Sequence, residues 1–304
     1  MKAQLYDLTH TTTYDYHSPV TVSHHLLRVC PRRLARQSRL EHSVETDPVA
    51  ATTSQRTDYF GNDVTFATIE GAHRRLRIIS RSRVAVGPAF IPDPTETPHW
   101  ESVRGLCRSD RSSAVLEAIE FTFPSPVVPL ESAFIEYAFV SFTPRRSILD
   151  AALELTARIH ADFKFDPTAT TVSTPLLEVL EKRRGVCQDF AHFQIACLRS
   201  LGLPARYVSG YLETIPPPGQ PRLIGADATH AWVSLFCPGI GWIDLDPTNN
   251  CTPSIRHITA AWGRDYSDVS PVRGVLLGSG EHTLSVAVDV LPLGMVQIQA
   301  EGAD

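Results

Sequence analysis

The spacing of apolar residues changes near residue 144, and this change constrains the fold more than any other feature of the chain. Before it, aromatic and β-branched residues alternate roughly with polar ones, as in residues 6–16 and 76–86, which is typical of strands. After it, apolar residues recur at helical spacing over residues 148–159. Strand-like runs return after Leu203. This order predicts an α+β protein, in which an N-terminal antiparallel β-sandwich precedes a domain with helices packed on an antiparallel sheet.

The same change divides the chain, and a length of 304 residues is natural for two domains. We predict a β-rich N-terminal domain over residues 1–90. In residues 91–143 proline is frequent and periodicity is weak, which indicates a connector with one short helix near residues 113–119. We assign residues 144–304 to the second domain.

Charge and cysteine usage exclude several classes of protein. The formal net charge of −5 gives no electrostatic reason to expect a nucleic-acid or membrane partner, and no apolar run is long enough for a membrane span. No apolar signal-peptide region follows the N-terminus. The six cysteines are scattered without a CxxC pair, so a disulfide framework is not expected. We therefore expect a cytoplasmic protein with reduced thiols.

Cys187 lies where the glycine-containing stretch R-R-G-V-C becomes a helix that continues to Gly202. The free N–H groups and the positive end of the helix dipole favour the thiolate over the thiol at such a position. The same N–H groups can hold an oxyanion after attack on a carbonyl. The alternative is that Cys187 is a small packing residue, as we expect for Cys197. Position alone does not decide between the two.

A thiol nucleophile needs a base and an orienting carboxylate, and the predicted hairpin around Pro238 offers both. With a turn at residues 237–239, His230 lies opposite Asp246 on one sheet face. A loop two residues longer places these two residues diagonally across the strand pair, still within reach of each other. A one-residue slip in register places them on opposite faces of the sheet. Asp244 shares the face and is the rival carboxylate, but it is expected to lie opposite Trp232.

Four stretches together resemble the bacterial transglutaminase-like family: R-R-G-V-C-Q-D-F-A-H, L-R-S-L-G-L-P-A-R-Y-V-S-G-Y, D-A-T-H-A-W-V and W-I-D-L-D-P-T-N. Upstream, H-T-T-T-Y-D-Y and D-Y-F-G-N-D-V resemble the β-rich N-terminal domain that accompanies it. The resemblance implies a papain-type arrangement, with Cys187 as the nucleophile, His230 as the base and Asp246 as the orienting carboxylate.

These residues predict cysteine-dependent acyl transfer on a peptide or amide substrate through a thioester. Water as the acceptor makes the protein a peptidase or amidase, and an amine acceptor makes it a transglutaminase. No metal or organic cofactor is expected, because no cysteine or histidine cluster has zinc-site spacing. Two alternatives remain open: a non-catalytic binding or scaffolding module on the same fold, and a metal-binding protein that uses Cys and His.

Overall fold

The computed structural model describes residues 2–215, 228–278 and 281–297. Its strands, in chain order, are β1 (Lys2–Leu27), β2 (Gln37–Asp47), β3 (Thr52–Thr57), β4 (Asp63–Val86), β5 (Lys164–Phe165), β6 (Arg184–Gly185), β7 (Ala205–Leu212), β8 (Ala228–Cys237), β9 (Gly241–Leu245), β10 (His257–Gly263), β11 (Val272–Leu277) and β12 (His282–Gln297). The helices are α1 (Trp100–Ser109), α2 (Ser113–Ile119), α3 (Ser132–Phe139), α4 (Ile148–Asp162), α5 (Leu176–Lys182), α6 (Cys187–Ser200) and α7 (Tyr266–Val269). This order confirms the α+β class. None of these helices is both long and apolar enough to cross a membrane.

The N-terminal unit is one antiparallel sheet of six strands, with the long strands β1 and β4 at its centre. β-Bulges between Asp15 and Val22 interrupt the pairing of these two strands, and bulges bend a sheet. Apolar side chains from both sides of the interruption, such as Leu27 and Leu76, share one core. The predicted sandwich is therefore built from one continuous sheet rather than from two separate ones.

The last two strands correct the predicted extent of the second domain. β12 pairs with residues 2–16 of β1, and β11 continues along the same edge to residues 22–27. The C-terminal part of the predicted 144–304 domain thus belongs to the N-terminal sheet, and residues 298–304 lie outside the described residues. The local sequence could not show this, because the partner of an edge strand lies about 270 residues away.

The segment predicted as a connector, residues 91–143, is also more structured than expected. The helix at residues 113–119 is present as α2, and α1 and α3 flank it. Buried residues of these flanking helices, Trp100 and Phe134 among them, pack in the main core of the second domain. Short helices with little periodicity are stabilised by such tertiary packing more than by their own propensity.

In the second domain α6 packs on one face of a four-stranded antiparallel sheet with the order β10-β7-β8-β9. Phe193 and Cys197 of the helix and Val233 of the sheet are fully buried in this core. The opposite sheet face lies against the N-terminal domain, where the guanidinium of Arg32 packs on the ring of Trp262. The sheet is thus covered on both faces, and its end near the start of α6 holds the candidate site.

Candidate active site

Cys187 is the first residue of α6 and is half-buried. The helix begins here because Val186 is extended and its N–H donates to the Asp189 carboxylate over 2.8 Å. Thr170 donates to the same carboxylate oxygen over 2.6 Å. A Cβ at Gly185 would lie 2.5 Å from this oxygen, so only glycine leaves room for the cap. The capping keeps the thiol at the positive end of the helix.

The structure brings His230 and Asp246 into direct contact, with 2.7 Å between Nε2 of the ring and Oδ2 of the carboxylate. The predicted register was wrong by two residues. Phe236 lies opposite Trp242 rather than Ile240, because the turn comprises residues 238–240 and is followed by Gly241 with φ 107°. A shift of two preserves the sheet face, so the pair meets as predicted for the longer loop.

Asp246 is fully buried and accepts several hydrogen bonds. Its Oδ2 accepts from His230, from Nδ2 of Asn249 at 2.7 Å and from Nε2 of His257 at 3.1 Å. Its Oδ1 accepts the backbone N–H of Thr248 at 2.9 Å and that of Asn249 at 3.2 Å. Burial alone would raise the pKa of Asp246, but the bonds from His230, His257 and Asn249 hold this pKa well below its usual range. The carboxylate is therefore ionised at neutral pH.

His257 was not singled out from the sequence. Its Nδ1 accepts the backbone N–H of Ser254 at 3.3 Å, which leaves the ring proton on Nε2 for the bond to Asp246. Burial lowers the pKa of His257, and the bond to Asp246 only partly opposes this, so the ring is neutral. Asn249 was missed as well, although it follows D-P-T in a stretch that resembles the family.

His230 interacts with Cys187 as well as with Asp246. Since Nε2 faces the carboxylate, Nδ1 is the nitrogen left for the thiol. Burial would lower the pKa of His230, but the hydrogen bonds to Asp246 and Cys187 and their charges outweigh it and raise this pKa to about 10. The ring is therefore an imidazolium at neutral pH, and it lies beside the Cys187 thiol.

The rival carboxylate, Asp244, has a different partner. Its Oδ2 lies 3.5 Å from Nη2 of Arg36. Of the two aspartates, Asp246 is the one hydrogen-bonded to the ring.

The same cluster of two histidines and one aspartate has the residue types of a metal site. His230, Asp246 and His257 offer three ligand atoms within 4.8 Å of one another. Both imidazoles, however, are hydrogen-bonded to one carboxylate oxygen, and the proton on each bonded nitrogen would have to leave before a cation could bind there. This arrangement suits proton transfer better than metal ligation.

We expect Cys187 to react with iodoacetamide at least about tenfold faster at pH 6 than any other cysteine. Burial raises the pKa of the other five thiols, including that of Cys251 to about 11, whereas Cys187 has the imidazolium beside it. The measurement is peptide mass spectrometry after timed labelling at several pH values. The His230→Gln variant should lose this advantage at pH 6. If Cys187 labels no faster than Cys107, the ion pair does not exist.

Comparisons with known proteins support the resemblance in both halves of the chain. Residues 6–85 match the bacterial transglutaminase-like N-terminal region, and residues 140–247 match the transglutaminase-like superfamily. An uncharacterized protein of Mycobacterium tuberculosis is 41% identical over 298 residues, covering 94% of this chain and 92% of its own. An uncharacterized protein of Mycobacterium leprae is 33% identical over 94% of this chain and 98% of its own.

Two further comparisons cover a third of the chain and the whole chain, respectively. A protein-glutamine gamma-glutamyltransferase of Pseudomonas aeruginosa is 32% identical over 107 residues, which is 33% of this chain and 16% of that protein. A proposed cysteine protease from Cytophaga hutchinsonii is similar over 100% of this chain and 96% of its own, with a TM-score of 0.75 at 19% identity, and shares the fold. The two family matches and the full-length mycobacterial relatives show that this chain belongs to the transglutaminase-like superfamily and carries the bacterial N-terminal region of that family.

Proposed function

We propose that this protein is a thiol-dependent acyl-transfer enzyme that attacks an amide carbonyl of a peptide or a smaller amide. The observation that carries the proposal is the His230 ring, which is hydrogen-bonded to Asp246 and lies near enough to Cys187, at the start of α6, for this thiol to raise the pKa of the ring. A nucleophile, a base and an orienting group in this order form the triad of acyl transfer. Retention of all three favours an enzyme over a binding module on the same fold.

In the first step the Cys187 thiolate forms a bond to the carbonyl carbon, and the π electrons move to the oxygen. Backbone N–H groups of the first turn of α6 stabilise this oxyanion. The oxyanion then collapses and the C–N bond breaks, while His230 donates its proton to the leaving amine. The products are a thioester on Cys187, a free amine and a neutral His230 ring.

In the second step neutral His230 accepts a proton from the acceptor, which attacks the thioester carbon. Collapse of this intermediate breaks the C–S bond and restores the thiolate beside the imidazolium. Asp246 holds the ring in place and stabilises its positive charge, and His257 and Asn249 position Asp246 by their hydrogen bonds. The cycle requires no metal or organic cofactor.

The acceptor decides whether the enzyme is a hydrolase or a transferase. Similarity to the Pseudomonas glutamyltransferase supports transfer to an amine, although it covers only a third of this chain. Water is always available, and nothing in the sequence marks an amine site. We therefore propose hydrolysis as the principal fate of the thioester, with an amine as a competing acceptor.

Intact-mass analysis after exposure to peptide and amide libraries tests the proposal. We expect a thioester adduct on Cys187 whose mass gives the acyl group. Adding a primary amine should divert part of the acyl product to a new amide if transfer competes with hydrolysis. Failure to detect either an adduct or a released product with any library would favour the binding module.

A further inference from the structure

A cleft of about 360 Å³ lies where the N-terminal domain meets the second domain, on the sheet face opposite α6. From the N-terminal side it is lined by residues 34–36 and by residues 89–91 beyond β4. From the sheet it is lined by residues of β7, β9 and β10. The chemistry proposed above at Cys187 makes no use of it.

Arg206 is the central feature of this cleft. Its guanidinium carbon lies 3.7 Å from the ring centroid of Trp262 and 4.2 Å from that of Trp242, so an indole covers each face. On the other side of Trp262 lies the guanidinium of Arg32, at 3.4 Å. Within the described part of the chain, Arg206 donates no hydrogen bond to a protein acceptor. Because both faces are covered, only the N–H edge of the guanidinium is free to receive a partner.

The charge of Arg206 is also incompletely balanced. The side chain is only 9% exposed, and Asp244 is the carboxylate that lowers the cost of its burial. Asp244 is already in an ion pair with Arg36, so two guanidinium groups share one carboxylate. Burial lowers the pKa of Arg206 to about 9, as expected for a cation that lacks a contact partner. Among these three groups, Arg206 and Arg36 carry two positive charges and Asp244 carries one negative charge, so one positive charge lacks a counter-ion.

Arg206 also borders a second cleft, on the side of α2, but that cleft is lined by Glu117 and Glu120. Two carboxylates there disfavour an anion. The cleft on the Arg36 side has the second cation, so an anion is favoured on that side.

The rest of the cleft is apolar. Trp242 forms one wall, and Phe90, Ile91 and Ile240 lie at the rim with exposed fractions of 80%, 41% and 40%. Large apolar side chains with a few convergent polar groups are typical of small-molecule sites. An aromatic ring could pack against this wall with its charged group at Arg206.

We propose that this cleft binds an organic carboxylate with a flat apolar body, whose carboxylate pairs with the N–H edge of Arg206 next to Arg36. Guanidinium groups bind carboxylates in a bidentate manner. Asp244 repels the ligand, so a monoanion fits better than a phosphate dianion. Because both domains line the cleft, the ligand would bind across their interface, which gives the N-terminal domain a function of its own. The proposal does not depend on chemistry at Cys187.

Isothermal titration calorimetry on the full-length protein tests this with benzoate, hippurate and N-acetylphenylalanine, each compared with its neutral amide. We expect at least one carboxylate to bind with a Kd below about 1 mM, and its amide to bind at least about tenfold more weakly. Asp244→Asn removes the repelling charge but keeps the cations, so it should tighten binding by about fivefold. Arg206→Gln should abolish binding.

Arg75→Gln is the matched control, because this arginine is exposed and lies in the N-terminal sheet. It should bind the probes as the wild type does. If Arg206→Gln fails to fold, the tighter carboxylate binding expected of Asp244→Asn still tests the proposal. Equal binding of carboxylates and amides, no binding of any carboxylate, or unchanged affinity in Asp244→Asn would overturn the proposal.

Discussion

Replacing Cys187 by alanine is expected to abolish acyl-enzyme formation while leaving the fold intact. Catalysis should fall by at least about 10³-fold, because loss of a nucleophile removes the covalent route altogether. Stability should change little, since the side chain is small and half-buried at a helix start. The measurements are product formation with a substrate found by mass analysis, and thermal unfolding followed by circular dichroism.

Cys107→Ala is the matched control, because this cysteine is also half-buried but lies in α1. It should retain full activity. Activity that survives in Cys187→Ala would contradict the mechanism, and unfolding of that variant would support the packing role instead.

Replacing Asp246 by asparagine is expected to affect both stability and reactivity. The variant removes the charge that balances protonated His230 in a buried site, which should destabilise the fold by about 3 kcal/mol at neutral pH. Cys187 alkylation at pH 6 should also fall, because the imidazolium that favours the thiolate is lost. Denaturant unfolding and labelling kinetics measure the two effects. Asp15→Asn, at an exposed ion pair with Arg75, should change neither appreciably.

The direction in which the stability changes with pH follows from the pKa shifts of Asp246 and His230. The pKa of Asp246 is lowered in the folded protein, so its carboxylate stabilises the fold above its unfolded pKa of about 3.8, and this contribution is lost as the pH falls further. The stability difference between the wild type and Asp246→Asn should therefore shrink below pH 3.8. His230 has a raised pKa, so its contribution is complete below 6.5 and is lost as the pH rises towards 10. A difference that grows in acid would contradict the assignment of Asp246 as the buried anion.

Much of the candidate site could be predicted because its members carry local signals. Helical spacing and the glycine before Val186 indicate where α6 begins, and this fixes the position of Cys187. The two-residue period of strands keeps His230 and Asp246 on one face whether the hairpin loop has its predicted length or is two residues longer. His230 and Asp246 therefore meet as predicted, although the predicted register was wrong by two residues.

Other parts of the site carry no such signal. His257 lies on β10, whose neighbour in the sheet is β7, and neither its spacing nor its surroundings in the sequence connect it to Asp246. Asp244 and Asp246 are both plausible carboxylates in the sequence. Only the packing shows that Arg36, from the N-terminal domain, pairs with Asp244, while Asp246 lies with the imidazoles.

The sequence by itself determined the fold class, the order of the elements and the sheet face of each strand residue, because periodicity, turns and caps depend on neighbours a few residues away. Tertiary structure decided the hairpin register, the return of β11 and β12 to β1, and the assembly of Asp246 with His257. These features depend on contacts between segments far apart in the chain. Their free energy comes from burial and hydrogen bonding that exist only when the whole domain has formed.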